Sequence, residues 1–167
     1  MPMKTTVLVL EIGTARFSAT LRRDLAPASC ECLLSMLPYR GTVVHARWSG
    51  EALWSPLSDV WPARRRLAPE SAAYEPGVGE VLLYAGDASE PELLIPYGTA
   101  RFASKAGALQ GNPVLTITEP LPRLAELGRS VLWKGAAGFR IDRRLSTRRS
   151  GRAPTATVPP GRSRHRP

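Results

Sequence analysis

The chain is expected to fold as a mainly β protein, a closed and mostly antiparallel β-barrel with two capping helices. Three observations lead there. Roughly seven short runs rich in Val, Ile, Thr, Leu and Phe are separated by Gly and Pro turn signals. Only two stretches carry helical spacing, one after the second strand and one close to the end of the apolar sequence. So many short strands would also leave unpaired edges unless the sheet closed on itself. At 167 residues the chain has single-domain length and can bury a core without metal or disulfide staples.

Each element follows in order. Residues 4–12 and 15–21 read as two strands of a hairpin, with Gly13-Thr14 as the turn. Pro27 suits a first helical turn, and Ala26, Cys30, Leu33 and Leu37 share one face until Pro38 stops the run. A third strand is expected over 42–49, with Gly50 allowing a bulge or bend into Glu51–Trp54. From Ser55 to Gly79 the chain is irregular, punctuated by Pro56, Pro62, Pro69 and Pro76 and carrying the basic run Arg64-Arg65-Arg66. A loop of that length in a compact domain is functional or mobile. "EVLLYAG" and "PELLIPYG" read as strands, "ARFASKAGALQGN" mixes strand and Gly-rich turn signals, and "PVLTITE" is again extended. Leu121, Leu124, Leu127, Val131 and Leu132 then mark an amphipathic closing helix.

The formal net charge of +9 belongs to one end of the chain. Residues 142–167 hold eight Arg against Asp142, while residues 1–141 hold fifteen Lys and Arg against thirteen Asp and Glu. The basic segment is poor in large apolar residues, so it cannot offset the entropy of ordering and is expected to be disordered. The expected organisation is therefore a barrel domain over 1–141 and an Arg/Pro-rich disordered tail over 142–167. Clustered Arg suits phosphates, but no aromatic residue interleaves the arginines as a base-stacking platform requires. A nucleic-acid partner is thus expected only if the tail supplies it.

Cys30 and Cys32, the only cysteines, lie two apart in a helical pattern and point to different sides. They make buried apolar filler, at least at Cys30, rather than a metal clamp, and reduced thiols suit a cytoplasmic protein. The apolar run near the start is too short for a signal-peptide core and reads as the first strand; no segment approaches membrane-spanning length, so no membrane partner is expected. One histidine outside the tail and scattered carboxylates give neither a zinc set nor a calcium loop, and no metal or other cofactor is expected. The sequence is compatible with a homo-oligomer and does not set the oligomeric state.

The segments "LPYRGTVVHARWSGEALWSPL", "GEVLLYAG", "ELLIPYGTARFASKAGALQGN" and "LGRSVLWKGA", taken in this order, resemble a bacterial family of unknown function with a cyclophilin-like fold. The resemblance spans roughly residues 4–138 and implies a closed barrel capped by helices, in agreement with the pattern above; it implies no reaction. This chain has Gly111-Asn112-Pro113 where members of the family tend to show Gly-Asn-His, and its 59–75 loop departs from theirs. Fold analogy alone suggests peptidyl-prolyl cis-trans isomerisation. A cyclophilin site resembles an Arg set among Phe, Gln, Trp and His groups, of which Arg47 matches the Arg and the others find no counterpart.

The candidate ligand-binding residues fall in two groups. In "VVHARWSGE", period-two alternation would turn His45, Arg47, Ser49 and Glu51 to one face, with Trp48 close by. Arg47 offers a fork for a carboxylate, His45 a proton carrier, and Glu51 an orienting group or base. The competing reading is a salt-bridged, solvated outer face, and the two weigh nearly evenly. The second group is Glu92, Tyr97, Arg101, Ser104, Lys105 and Asn112, where turns and satisfied hydrogen bonds are the commoner role. No phosphate loop or nucleophile elbow is present. A small-molecule ligand, anionic or amide-containing, is the expected partner, at a site in or at the mouth of the barrel lined by His45, Arg47, Trp48, Glu51 and Tyr97. Whether any reaction follows binding is not legible in the sequence.

Overall fold

Alternation of apolar residues builds the interior wall. The computed structural model describes residues 5–144. In β1 (Val7–Ile12) and β2 (Ala15–Leu21), Leu8, Leu10 and Ile12 share one face with Ala15, Phe17, Ala19 and Leu21, all in the core. Gly13 closes this hairpin with φ +58, a conformation that costs a residue without Cβ nothing. The strands continue as β3 (Tyr39–His45), β4 (Gly50–Pro56), β5 (Glu80–Tyr84), β6 (Glu92–Ala100), a short β7–β8 hairpin (Ala103–Ser104 and Gly107–Ala108), β9 (Asn112–Glu119) and β10 (Ala137–Arg143). Eight of them close an antiparallel barrel in the order β1-β10-β3-β4-β6-β5-β9-β2, so no barrel edge is left free.

Two helices plug the barrel. α1 (Pro27–Ser35) buries Cys30, Cys32, Leu33 and Leu34, and α2 (Leu121–Lys134) buries Leu124, Gly128 and Val131. Burial pushes the Cys30 thiol up to about 11, so it is a protonated filler and not a nucleophile. A second apolar cluster lies on the opposite face of β4, β5 and β6. There Ala52, Leu82, Tyr84, Leu94 and Ala100 are covered by Phe102 and Leu109 of the segment after β6. Strand β6 is therefore buried on both faces, which is why "LLIPY" reads as a continuous apolar run.

Two expectations are corrected. The third strand does not run over 42–49: it ends at His45, and residues 46–49 turn into β4, with the Ala46 amide donating to the Ala52 carbonyl. β10, unplaced in the sequence reading, closes the barrel between β1 and β3, and its Asp142 and Arg143 pair with Val9 and Leu8. The boundary expected after residue 141 thus falls inside a strand. From residue 145 on, the Arg/Pro-rich segment lies outside the described residues.

The irregular chain between β4 and β5 is pinned at several points, among them a backbone bridge between Ala73 and Gly111 and a side-chain joint at Glu70. The Glu70 carboxylate accepts from the amides of Ala28 and Ser29 and from Ser29 Oγ (2.9, 2.8 and 2.6 Å), satisfying free N–H groups in the first turn of α1, which has no side-chain cap of its own. Partial burial pushes this carboxyl up, but the three donors outweigh it and hold it below the usual carboxylate range. Asn112 completes the joint, donating to Ser29 Oγ and the Ala68 carbonyl and accepting from the Glu70 amide. Asn112→Ala is expected to cost about 1–2 kcal/mol, since water can reach the loop side of the joint. Hydrogen exchange should show the Glu70 amide opening far faster while the β1–β2 amides keep their protection; a uniform change would mean that the joint is not local.

Candidate functional site

Outward-facing positions on three neighbouring strands make the floor. Val44 of β3 pairs with Trp54 of β4, and Trp54 with Leu94 of β6, on the same face as Glu92 two residues before it. Over this floor stand the 46–49 turn, the β7–β8 hairpin and the Ala88–Ser89 loop, leaving a cavity of about 890 Å³. It lies on the outer wall of the barrel. The expected place, inside or at the mouth, is filled by the core and the two helices.

The cavity collects His45, Arg47, Trp48, Ser49, Glu92, Ser104 and Lys105 from the candidate residues. Glu92 is its buried acid, 5% exposed, and the Trp54 indole N–H donates to its carboxylate; that is its one hydrogen bond among the described residues. Burial pushes Glu92 up to about 7; the Trp54 donor works against this and the nearby Glu90 charge adds to it. Arg47 and Lys105 are exposed, and neither has an acid within 4.0 Å among the described residues. Trp48 is 56% exposed beside them. A buried acid that titrates near neutrality below and two unpaired cations at the rim leave the site polar but unsatisfied, with Val44, Leu94 and several alanines as apolar wall.

His45 contributes differently from the expectation. Its Nδ1 lies 3.0 Å from the Ala46 carbonyl, which can only accept, so Nδ1 carries the proton. In the neutral ring Nε2 then accepts from the Tyr97 hydroxyl at 2.9 Å. With both nitrogens engaged, His45 has none free to transfer a proton. Tyr97 does not line the cavity: it points into the core, edge-on to the His45 ring, and burial raises its hydroxyl pKa.

Three more candidates, Glu51, Asn112 and Arg101, sit elsewhere. Glu51 lies over Gly98, where any Cβ would fall 2.3 Å from its carboxylate, and it accepts from the Thr99 amide at 2.8 Å. That clamps the irregular pairing of β4 with β6 and lies on a different surface from Glu92. Asn112 is the joint described above, buried at 6% exposure. Arg101 pairs with Glu75 on the surface at 2.8 Å. The alternating row therefore splits. Ser49, 2% exposed, uses its hydroxyl to hold both the amide and the carbonyl of Ala103 (3.1 Å each), fastening the β7–β8 hairpin over the cavity. Trp54 as the donor to Glu92 is the contact in the cavity that spacing could not show. The two residues lie 38 apart in sequence and meet because β4 and β6 pair.

Among the described residues no three His, Cys, Asp or Glu side chains converge as a metal site would require, and no helix is long and apolar enough to cross a membrane. In fold the chain is similar to McbB, solved in complex with tryptophan (TM-score 0.65, 22% identity, 92% of this chain covered), and spans only 48% of that protein's length. It is also similar to the hypothetical protein AF2241 from Archaeoglobus fulgidus, solved in solution (TM-score 0.55, 13% identity, 86% of this chain and 99% of that one). No curated protein matches it. Residues 8–143, nearly the whole barrel, match one family, and the chain belongs to it: the proteins of unknown function DUF3830.

Proposed function

We propose that the chain binds a small anionic or amide-containing metabolite in the outer-wall cavity. The observation that carries this reading is the pairing of an uncompensated buried acid, Glu92, with two uncompensated cations, Arg47 and Lys105, around one cavity. Arg47 and Lys105 take the anionic end, Arg47 by its planar fork. Glu92 meets the amide or another polar group at the floor, as acceptor when charged and donor when protonated. Trp48 and Trp54 cover the apolar part of the ligand, and Ser104 and the edge of His45 complete the rim.

Support from outside the chain is limited to fold. McbB, a barrel of this kind, holds tryptophan, a small molecule with a carboxylate. The cyclophilin-like relationship belongs to the same reading. The cavity lining includes no Phe and no Gln, so proline isomerisation gains no observation in its favour. Binding is the proposed activity, and Glu92 is the group fitted to exchange a proton with the ligand because its pKa lies near neutrality. Two buried reduced thiols fit a cytoplasmic setting.

A thermal-shift panel of small carboxylates and amides tests the reading. Carboxylates that raise Tm in the parent are expected to lose about tenfold in apparent affinity with Arg47→Ala, roughly one charge-assisted hydrogen-bond pair. Stabilisation of equal size in both proteins would remove Arg47 as the anchor and the rim as the anion site.

A further inference from the structure

The basic run Arg64-Arg65-Arg66 takes no part in the cavity over Glu92, yet it is not spread over a convex surface. All three arginines line a separate cavity of about 830 Å³, on the other side of the connection between β5 and β6. Trp61 and Leu67 form its apolar side, and Gly86 and Asp87 its far wall. None of the three guanidinium groups has an acid within 4.0 Å among the described residues, Asp87 included. Three adjacent like charges repel one another, and a solvated run would let them diverge.

The backbone holds them together instead. Arg64 sits at φ +59, the left-handed region that a side chain with a Cβ disfavours. The turn is fixed by the Arg65 amide donating to the Pro62 carbonyl (3.0 Å) and by the Trp61 indole N–H donating to the Arg65 carbonyl (3.2 Å). The following residues are tied to α1 and β9 through Glu70 and Asn112. The cations are thus presented by an ordered turn, which lowers the entropy lost when an anion is bound.

We propose that this second cavity binds a phosphate-bearing small molecule, held by the guanidinium groups of Arg64, Arg65 and Arg66 with Trp61 against its less polar part. Three cations facing one carboxylate, Asp87, leave an excess of about two positive charges there, more than one carboxylate ligand neutralises. A phosphate monoester dianion or a diphosphate matches that excess, and its oxygens fit the guanidinium fork. The proposal is independent of the reading for the Glu92 cavity, because no residue lines both.

Inorganic pyrophosphate titrated calorimetrically into the full chain is the test. Joint replacement of Arg64, Arg65 and Arg66 by Ala is expected to weaken binding at least tenfold. Replacing Arg123, Arg129 and Lys134 on the exposed face of α2 removes the same charge and should weaken it less than threefold. Asp87→Asn, which takes away the one acid on the cavity wall, should tighten it several-fold. Equal losses in the two triple variants, or undiminished binding without Arg64, Arg65 and Arg66, would overturn the site and assign the affinity to general charge or to the Arg-rich end of the chain. No pyrophosphate binding by the parent would overturn it as well.

Discussion

Gly128→Ala is expected to destabilise the fold by about 3 kcal/mol, although alanine is the better helix former. The exchange alone would gain about 1 kcal/mol within a helix such as α2. The new methyl group, however, would fall 2.1 Å from Cδ1 and 2.2 Å from Cγ of Tyr97, inside the ring and not at the end of a flexible chain. Tyr97 cannot step aside cheaply: it is buried, its hydroxyl is engaged by His45, and His45 is tied in turn to the Ala46 carbonyl. Either the ring leaves its rotamer or α2 lifts from the barrel; overpacking usually costs roughly 1–3 kcal/mol and occasionally more, and a clash with ring atoms that cannot yield falls above that range, at about 4 kcal/mol. Chemical denaturation checks the net sign. In a Tyr97→Ala background the same Gly128→Ala change should turn neutral or stabilising, because its obstacle is gone. A stabilising Gly128→Ala in the parent would show that α2 does not rest on Tyr97.

That contact illustrates what the sequence carried and what it could not. The β1–β2 hairpin was legible because Gly13-Thr14 interrupts two clean alternations, and both helices because apolar spacing changed from two to near four. β10 escaped because only Phe139 and Ile141 alternate in it, between arginines that resemble the basic run beyond. The His45–Glu51 row misled for a sharper reason. Its polar–apolar alternation runs unbroken through a turn, and period alone does not register a hydrogen bond from Ala46 to Ala52 that folds the row back on itself. The residues of the cavity were largely named, but not which wall they occupy. In β6 both faces are buried, so composition gave no sign that Glu92 and Leu94 look outward while Leu93, Ile95 and Tyr97 look inward.

The orientation of Glu92 gives the site its pH dependence, and Glu92→Gln isolates it. The carboxyl rises from 4.5 to about 7 on folding, so between those values the folded chain holds a proton that the unfolded chain has released. Stability supplied by this group is therefore greatest at low pH and falls as pH rises from about 4.5 through 7. Each pKa unit is worth about 1.4 kcal/mol, so keeping Glu92 charged at pH 8 costs on the order of 3 kcal/mol. Glutamine keeps the shape and still accepts from Trp54 without titrating. Relative to the parent, Glu92→Gln should be nearly neutral at pH 4.5 and more stable by about 3 kcal/mol at pH 8, measured by denaturation at fixed ionic strength. Trp54→Phe removes the donor that favours the charged form and should move the midpoint of the parent's pH profile upward. Ligand linkage separates a site from mere burial. A ligand whose N–H or cationic group contacts the charged carboxylate must stabilise the parent more at pH 8 than at pH 5, and must lose that pH dependence in Glu92→Gln. Parallel pH profiles for parent and variant would mean that Glu92 is hydrated and charged across the range, and the cavity floor would then lack the buried acid on which its chemistry depends.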